Sequence, residues 1–81
     1  MKSAKITKDN LYNLIAISLN IDVSMVSDDL SVGSISEWDS LAHVGLISAV
    51  EQEYDIQFDI DEVIDLEEVI DFWEIICEKR A

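Results

Sequence analysis

The sequence has few of the residues that interrupt or cross-link a chain. Its 81 residues include no proline, two glycines and a single cysteine, Cys77. Without proline or a glycine-rich stretch, no segment has the composition of a flexible linker. One cysteine cannot build a disulfide framework, and no cysteine pair with the spacing of a zinc or redox site is present. We therefore expect residues 1–81 to form one small domain that suits a reducing compartment.

Basic residues are also scarce. Five lysines and arginines stand against 18 aspartates and glutamates, which gives a formal net charge of −13. Such a charge repels nucleic-acid phosphates, whereas a partner protein with a basic face would be attracted. The N-terminal sequence MKSAKITKDN has no apolar run of signal-peptide length, and no stretch is long enough to span a membrane. We expect a cytoplasmic monomer that binds neither nucleic acid nor membrane.

What the sequence does contain is helical periodicity, first near the N-terminus. Thr7 is a favoured N-cap, apolar residues recur at helical spacing over about 8–19, and Asn20 suits a left-handed exit. From 21 to 38 the periodicity fails, which predicts a long loop of the kind that is usually functional or tightly packed. Trp38 is expected to pack back onto the domain and fix how the loop enters the next helix. Four further apolar residues are expected to hold the loop down: Val23, Val26, Leu30 and Ile35.

The second half of the sequence predicts three more helices. Asp39 is a favoured N-cap for a helix to about residue 54, with one buried row formed by Leu46, Val50 and Tyr54. A short helix is predicted near 61–65 and a last one over about 67–79, whose apolar stripe is Val69, Phe72, Trp73 and Ile76. The run 56–60 alternates like a strand but has no strand to pair with. The prediction is an all-α four-helix bundle with a long first loop and a short third helix.

The most informative stretch is EWDSLAHVGL, Glu37 to Leu46. Asp39 and Ser40 can simply cap a helix, but a helix N-terminus also favours a phosphate group, because its N–H groups are unpaired and its dipole end is positive. His43 shares a face with Ser40, yet Asp39, Ser40 and His43 crowded into one turn make a poor hydrolytic triad, and no GxSxG elbow is present. We therefore interpret Ser40 as an attachment point and predict no catalytic residues.

The sequence predicts no metal site. A single histidine, His43, has no second soft ligand nearby. An EF-hand count from Asp59 places Ile64 where glycine is required and Ile70 where glutamate is required. The carboxylates are therefore interpreted as a solvated face, part of which can serve for docking. Cys77 lies among apolar residues of the last helix and is interpreted as a core or near-core thiol.

The run WDSLAHVGLISAVEQEYDIQF, Trp38 to Phe58, resembles the acyl carrier proteins, in which a DSL motif opens the second helix. The likeness in helix order extends over most of the chain. It implies an acyl-carrier-type bundle in which Ser40 receives 4′-phosphopantetheine from coenzyme A. The implied modifying enzyme is a magnesium-dependent phosphopantetheinyl transferase. The thiol of the arm would then hold an acyl or aminoacyl group as a thioester, and the carrier itself would not be an enzyme.

The resemblance also implies roles for the neighbours of the serine. Asp39 and Leu41 would help the transferase to recognise Ser40. Partner enzymes, which transfer or activate acyl groups through basic docking faces, would contact one surface of the helix: Leu41, His43, Val44, Ser48 and Glu51. The buried row Leu46, Val50 and Tyr54 would border any cleft that shelters a short acyl chain.

The chain departs from fatty-acid carriers at several positions. Gly45 and Ser48 stand where an acidic residue and a methionine are usual, and Ala42 and His43 replace a polar start. These differences favour a carrier of a specialised pathway, within fatty acid, polyketide or related biosynthesis. The alternative is a small acidic helical interaction module, an adaptor or a nucleic-acid mimic with no prosthetic group, in which Ser40 would be dispensable.

Overall fold

The computed structural model describes residues 6–80. Four α-helices form within this range, with the bounds Lys8–Leu19 (α1), Ser40–Tyr54 (α2), Ile60–Asp65 (α3) and Val69–Arg80 (α4). A 3-10 helix, Val23–Met25, lies in the loop between α1 and α2. The all-α fold, the long first loop and the short third helix are thus confirmed. The assignment of residues 1–81 to a single domain stays a prediction, since 1–5 and 81 lie outside the described residues.

Helix α1 has the ends that its sequence predicts. The Thr7 hydroxyl accepts a hydrogen bond from the Asn10 backbone N–H at 3.1 Å, and Asn20 adopts the left-handed conformation with φ 58°. Asparagine tolerates this conformation better than most residues, so the helix ends at Leu19. The Asn10 side chain also donates to the Tyr54 hydroxyl at 3.0 Å and so joins α1 to the end of α2.

The hydrophobic core lies between α1, α2 and α4 and also takes side chains from the loop. The predicted row on α2 is confirmed, because Leu46 and Val50 are fully buried and Tyr54 is nearly so. Of the predicted stripe on α4, Trp73 is half-buried and the other three residues are buried. The buried apolar residues are Leu11, Ile15, Ala16, Leu19, Val26, Trp38, Leu46, Val50, Tyr54, Leu66, Val69, Phe72 and Ile76.

The first loop is held mainly by backbone hydrogen bonds to the segment before α4. The Val32 N–H donates to the Glu67 carbonyl at 2.9 Å, and the Val69 N–H donates to the Leu30 carbonyl at 3.0 Å. Among the residues predicted to hold the loop, Val26 is buried, and Leu30 and Ile35 pack against the core. The prediction for Val23 is wrong: its side chain is 44% exposed, because it lies in the 3-10 helix, which has no buried residue.

Near its middle, the loop is joined to α1 by a polar cluster that we call the Asp28 clasp: Lys8, Tyr12 and Asp28. The Lys8 ammonium donates to Asp28 at 2.8 Å, and the Tyr12 hydroxyl donates to the other carboxylate oxygen at 2.5 Å. These two bonds lower the pKa of Asp28. The bond to the carboxylate, followed by desolvation, raises the pKa of Tyr12 to about 12. The backbone carbonyl of Asp28 accepts from the Ile70 N–H, which extends the connection to α4.

The last two helices begin slightly away from their predicted positions. Helix α3 begins at Ile60, after the Asp59 N–H has donated to the Glu62 side chain at 2.8 Å. Helix α4 was predicted from about residue 67 but begins at Val69. The reason is that the N–H groups of residues 67 and 68 both donate to the Asp71 carboxylate, while the backbone there pairs with the loop. None of the helices between residues 6 and 80 has the length and apolar character required to cross a membrane.

Candidate attachment site at the start of the second helix

Ser40 is the first residue of α2, and its side chain is exposed. The N-cap is Asp39, whose backbone is extended and whose carboxylate accepts from the Ala42 N–H at 2.8 Å. The Asp39 carbonyl then accepts from the His43 N–H at 2.9 Å. Asp39 therefore caps the helix by itself, and the Ser40 hydroxyl is not needed for that purpose. Helix capping alone explains Asp39 but leaves the exposed serine without a structural role.

The residue before the cap fixes the position of the helix start. Trp38 is fully buried. Its backbone N–H donates to the Ile35 carbonyl at 3.2 Å, and its backbone carbonyl accepts from the Gly33 N–H at 2.7 Å. Gly33 has φ 84°, a conformation that favours glycine over residues with a side chain. The loop thus closes into a tight turn just before α2. The prediction that Trp38 packs back and fixes the entry into α2 is confirmed.

His43 is bonded to this tryptophan. The Trp38 indole N–H donates to His43 Nδ1 at 2.9 Å, and the ring centroids are 5.8 Å apart. The two residues occupy the positions just before the N-cap and four residues after it, which is the spacing of a hydrophobic staple. This contact was not predicted from the sequence, although the staple spacing of Trp38 and His43 indicates it. Here the staple carries a hydrogen bond in addition to its packing.

The same two rings contact α4. Phe72 lies edge-on to His43, with centroids 6.0 Å apart, and is tilted against Trp38 at 6.5 Å. Phe58 completes the group through an edge contact with Phe72 at 6.1 Å. We name Trp38, His43, Phe58 and Phe72 the aromatic cluster. The His43 ring is half-buried, because it is packed against both Trp38 and Phe72.

The hydrogen bond from Trp38 also argues against a hydrolase. Because His43 Nδ1 accepts that bond, the proton of the neutral imidazole is on Nε2. A general base for Ser40 would need an unprotonated nitrogen facing the hydroxyl, with Nδ1–H donating to an acid. The acid considered for that role, Asp39, instead accepts from a backbone N–H. The geometry therefore opposes the triad that the sequence had already disfavoured.

The surface predicted to contact partners is exposed in part. Leu41 and Val44 are 82% and 65% exposed, and Ser48 is exposed as well. Glu51 is different, because its carboxylate accepts from the Phe58 N–H at 3.0 Å and is committed to the turn after α2. Two further exposed apolar residues, Ile60 and Ile64, lie on α3. The described residues contain no cluster of side chains that could hold a metal ion.

The fold matches that of a known carrier protein. The solution NMR structure of a holo acyl carrier protein from Geobacter metallireducens superimposes with a TM-score of 0.80, at 29% sequence identity. The match covers 93% of this chain and 86% of the other. No protein-family model and no curated protein matches the sequence.

The fold, together with an exposed serine at the start of α2, defines a carrier-type helical domain rather than a catalyst. The resemblance predicted from the sequence is confirmed: the chain has the fold of an acyl carrier protein. Its general role is therefore that of a carrier that interacts with enzymes.

Proposed function

We propose that the protein holds an acyl or aminoacyl intermediate as a thioester on 4′-phosphopantetheine attached to Ser40. The observation that carries this proposal is the exposed hydroxyl at the first position of α2, beside a cap that Asp39 supplies alone. The carrier of similar fold from Geobacter metallireducens was solved in its holo form, which supports the presence of a prosthetic group here.

The residues around Ser40 fit a phosphodiester. Within α2, the N–H groups of Ser40 and Leu41 have no acceptor one turn earlier, and the positive end of a 15-residue helix favours an anion. The exposure of Ser40 leaves room for attachment without moving the core. When bound, the arm supplies the thiol that forms the thioester. The chain's own part is to orient the arm and to present Asp39 and Leu41 to the modifying enzyme.

The partners we propose are a phosphopantetheinyl transferase and enzymes that transfer or activate acyl groups. Leu41, Val44 and Ser48 offer an exposed, mostly apolar contact surface. The net charge of −13 favours basic docking faces and fast encounter rather than tight binding. Tethering keeps the intermediate at high effective concentration near each partner. The proposed setting is a specialised cytoplasmic pathway related to fatty acid or polyketide biosynthesis.

Intact-mass measurement after incubation with coenzyme A, magnesium and a broad-specificity phosphopantetheinyl transferase tests the proposal. We expect one phosphopantetheine mass increment in the wild type and none in Ser40→Ala. Ser48→Ala is the matched control, because it removes another exposed serine from the same helix and should still be modified. A folded wild-type sample that gains no mass would contradict the proposal and favour the acidic interaction module without a prosthetic group.

A further inference from the structure

We infer that Trp38 and His43 act as a positioning pair for the group on Ser40: Trp38 fixes the imidazole so that its Nε2–H donates to the phosphodiester. This inference rests on the proposed function, because it requires a phosphate at Ser40. It assigns His43 to the prosthetic group instead of to partner enzymes.

The hydrogen bond from Trp38 determines the tautomer of His43. The indole N–H of Trp38 is a donor only, and it points at Nδ1 from 2.9 Å. Nδ1 must therefore be the unprotonated nitrogen, and the neutral ring carries its proton on Nε2. Trp38 is fully buried and held by backbone bonds on both sides, so this donor is fixed in place. The ring orientation of His43 is thereby set by the fold.

The Nε2–H of His43 is available. Among the hydrogen bonds of residues 6–80, Trp38 provides the one that His43 forms through its ring. No buried side-chain nitrogen or oxygen in this part of the chain lacks a partner. Because Nε2 has no partner there, it is in contact with solvent rather than enclosed in the core. The imidazole is therefore bonded to Trp38 through Nδ1, while Nε2 is at least partly accessible to solvent.

The position of His43 relative to Ser40 follows from helical geometry. Residues three apart on a helix are surface neighbours, and helical side chains tilt toward the N-terminus, so Ser40 and His43 are neighbours at the start of α2. In the sequence SLAHVGL, which covers the first two turns of α2, His43 is the one side chain besides Ser40 that has a polar hydrogen. A phosphodiester on Ser40 therefore meets a single side-chain donor on its own helix face.

The negative charge near Ser40 makes a hydrogen bond from His43 favourable. Asp39 and Glu37 lie one and three positions before Ser40 in a chain of net charge −13, so their carboxylates repel an added phosphodiester. A hydrogen bond to an ionised acceptor is stronger than one between neutral groups. His43 offsets part of the repulsion and favours one direction for the start of the arm.

Nuclear magnetic resonance of the ¹⁵N-labelled protein, with and without the prosthetic group, tests the inference. In both forms we expect long-range ¹H–¹⁵N spectra to show Nδ1 unprotonated and Nε2 protonated. On attachment of the group, the Nε2 resonance should shift and its proton should exchange more slowly. The ³¹P resonance of the phosphodiester should move in His43→Phe, which keeps an aromatic ring but has no donor. It should return toward the wild-type position in His43→Gln, whose amide can accept from Trp38 and still donate.

The outcomes separate the inference from the proposed function. If intact mass shows no modification of Ser40, the proposed function fails and the inference fails with it. If Ser40 is modified but the Nε2 and ³¹P resonances are the same in wild type and His43→Phe, the positioning pair is overturned while the carrier function stands. A purely structural role for His43 would change stability without these spectroscopic differences.

Discussion

The long loop between α1 and α2 is fixed near its middle and at its end by chemically different contacts. Near its middle, the Asp28 clasp joins Lys8, Tyr12 and Asp28 through an ion pair and a hydrogen bond, with the Lys8 and Asp28 side chains 43% and 42% exposed. At its end, Trp38 is fully buried and bonded to His43. The first contact is partly exposed to solvent, and the second lies largely within the core.

This difference indicates which of the two contacts is more sensitive to substitution. An exposed ion pair gains little free energy, because water and salt compete with it. A buried donor such as the Trp38 N–H must keep its acceptor, because leaving it unpaired costs the full desolvation of the group. The sensitive contact is also the one next to Ser40. The fold therefore fixes the geometry of the candidate site more firmly than it fixes the part of the loop around Asp28.

The largest effect is expected from Trp38→Ala. Removing a fully buried tryptophan leaves a cavity beside Phe72 and His43, so we expect the free energy of unfolding to fall by about 3–5 kcal/mol. Chemical denaturation followed by circular dichroism measures this. Trp73→Ala is the matched control on α4, since its side chain is only half-buried and should cost less. Equal losses in the two variants would contradict a special role for the buried Trp38 side chain.

Substitution of His43 is expected to rank next. In His43→Leu the buried indole N–H of Trp38 has no acceptor, so we expect a loss of about 1–3 kcal/mol in the free energy of unfolding. His43→Gln should lose less, because an amide oxygen can accept the bond. Urea denaturation of the two variants side by side provides the measurement. If leucine were as stable as glutamine, the hydrogen bond would have no net role in stability.

Much of this region could be predicted from the sequence because its signals are local. N-caps act within one turn, so Thr7 and Asp39 predicted the starts of α1 and α2 correctly. Asn20 predicted a left-handed exit for the same reason. The buried row on α2 followed from helical spacing. The serine at the helix start was equally visible, although its modification stays a prediction.

The parts that were missed depend on contacts between distant segments. Val23 was expected to hold the loop, but backbone hydrogen bonds between the loop and residues 67–69 hold it instead. Such backbone bonds leave no pattern of side chains in the sequence. The same pairing moves the start of α4 to Val69. The partial burial of His43 involves Phe72, which lies 29 positions later in the sequence, so helical spacing within α2 did not predict this contact.

The Asp28 clasp should contribute less to stability than the aromatic cluster. Asp28→Ala removes both side-chain bonds but keeps the backbone bond from Ile70, so we expect a loss of about 1 kcal/mol or less. Asp29→Ala is the control, since Asp29 accepts only from the nearby Ser27 hydroxyl. Thermal unfolding of both variants at low and high salt provides the comparison. If Asp28→Ala lost as much free energy of unfolding as Trp38→Ala, the clasp and the Trp38 contact would not differ in their contribution to stability.

The smallest expected effect is on titration within the clasp. The pKa of Tyr12 is raised to about 12, mainly by its hydrogen bond to Asp28, so its phenolate should form about two pH units above an ordinary tyrosine. A group whose folded pKa is raised stabilises the fold below its unfolded pKa, and this contribution is lost as pH rises toward 12. The pKa of Asp28 is lowered, so its contribution is present above its unfolded value and is lost as the pH falls through the folded one.

Near-ultraviolet absorbance of the phenolate follows this titration, with Tyr12→Phe used to assign the Tyr12 component. In Asp28→Ala, the Tyr12 midpoint should fall toward the ordinary value near 10, because the acceptor and its charge are both gone. Tyr54 serves as an internal reference, since burial raises its pKa without any contribution from Asp28. A Tyr12 midpoint that does not move in Asp28→Ala would show that the clasp does not persist in solution, and the loop would then be anchored mainly at Trp38.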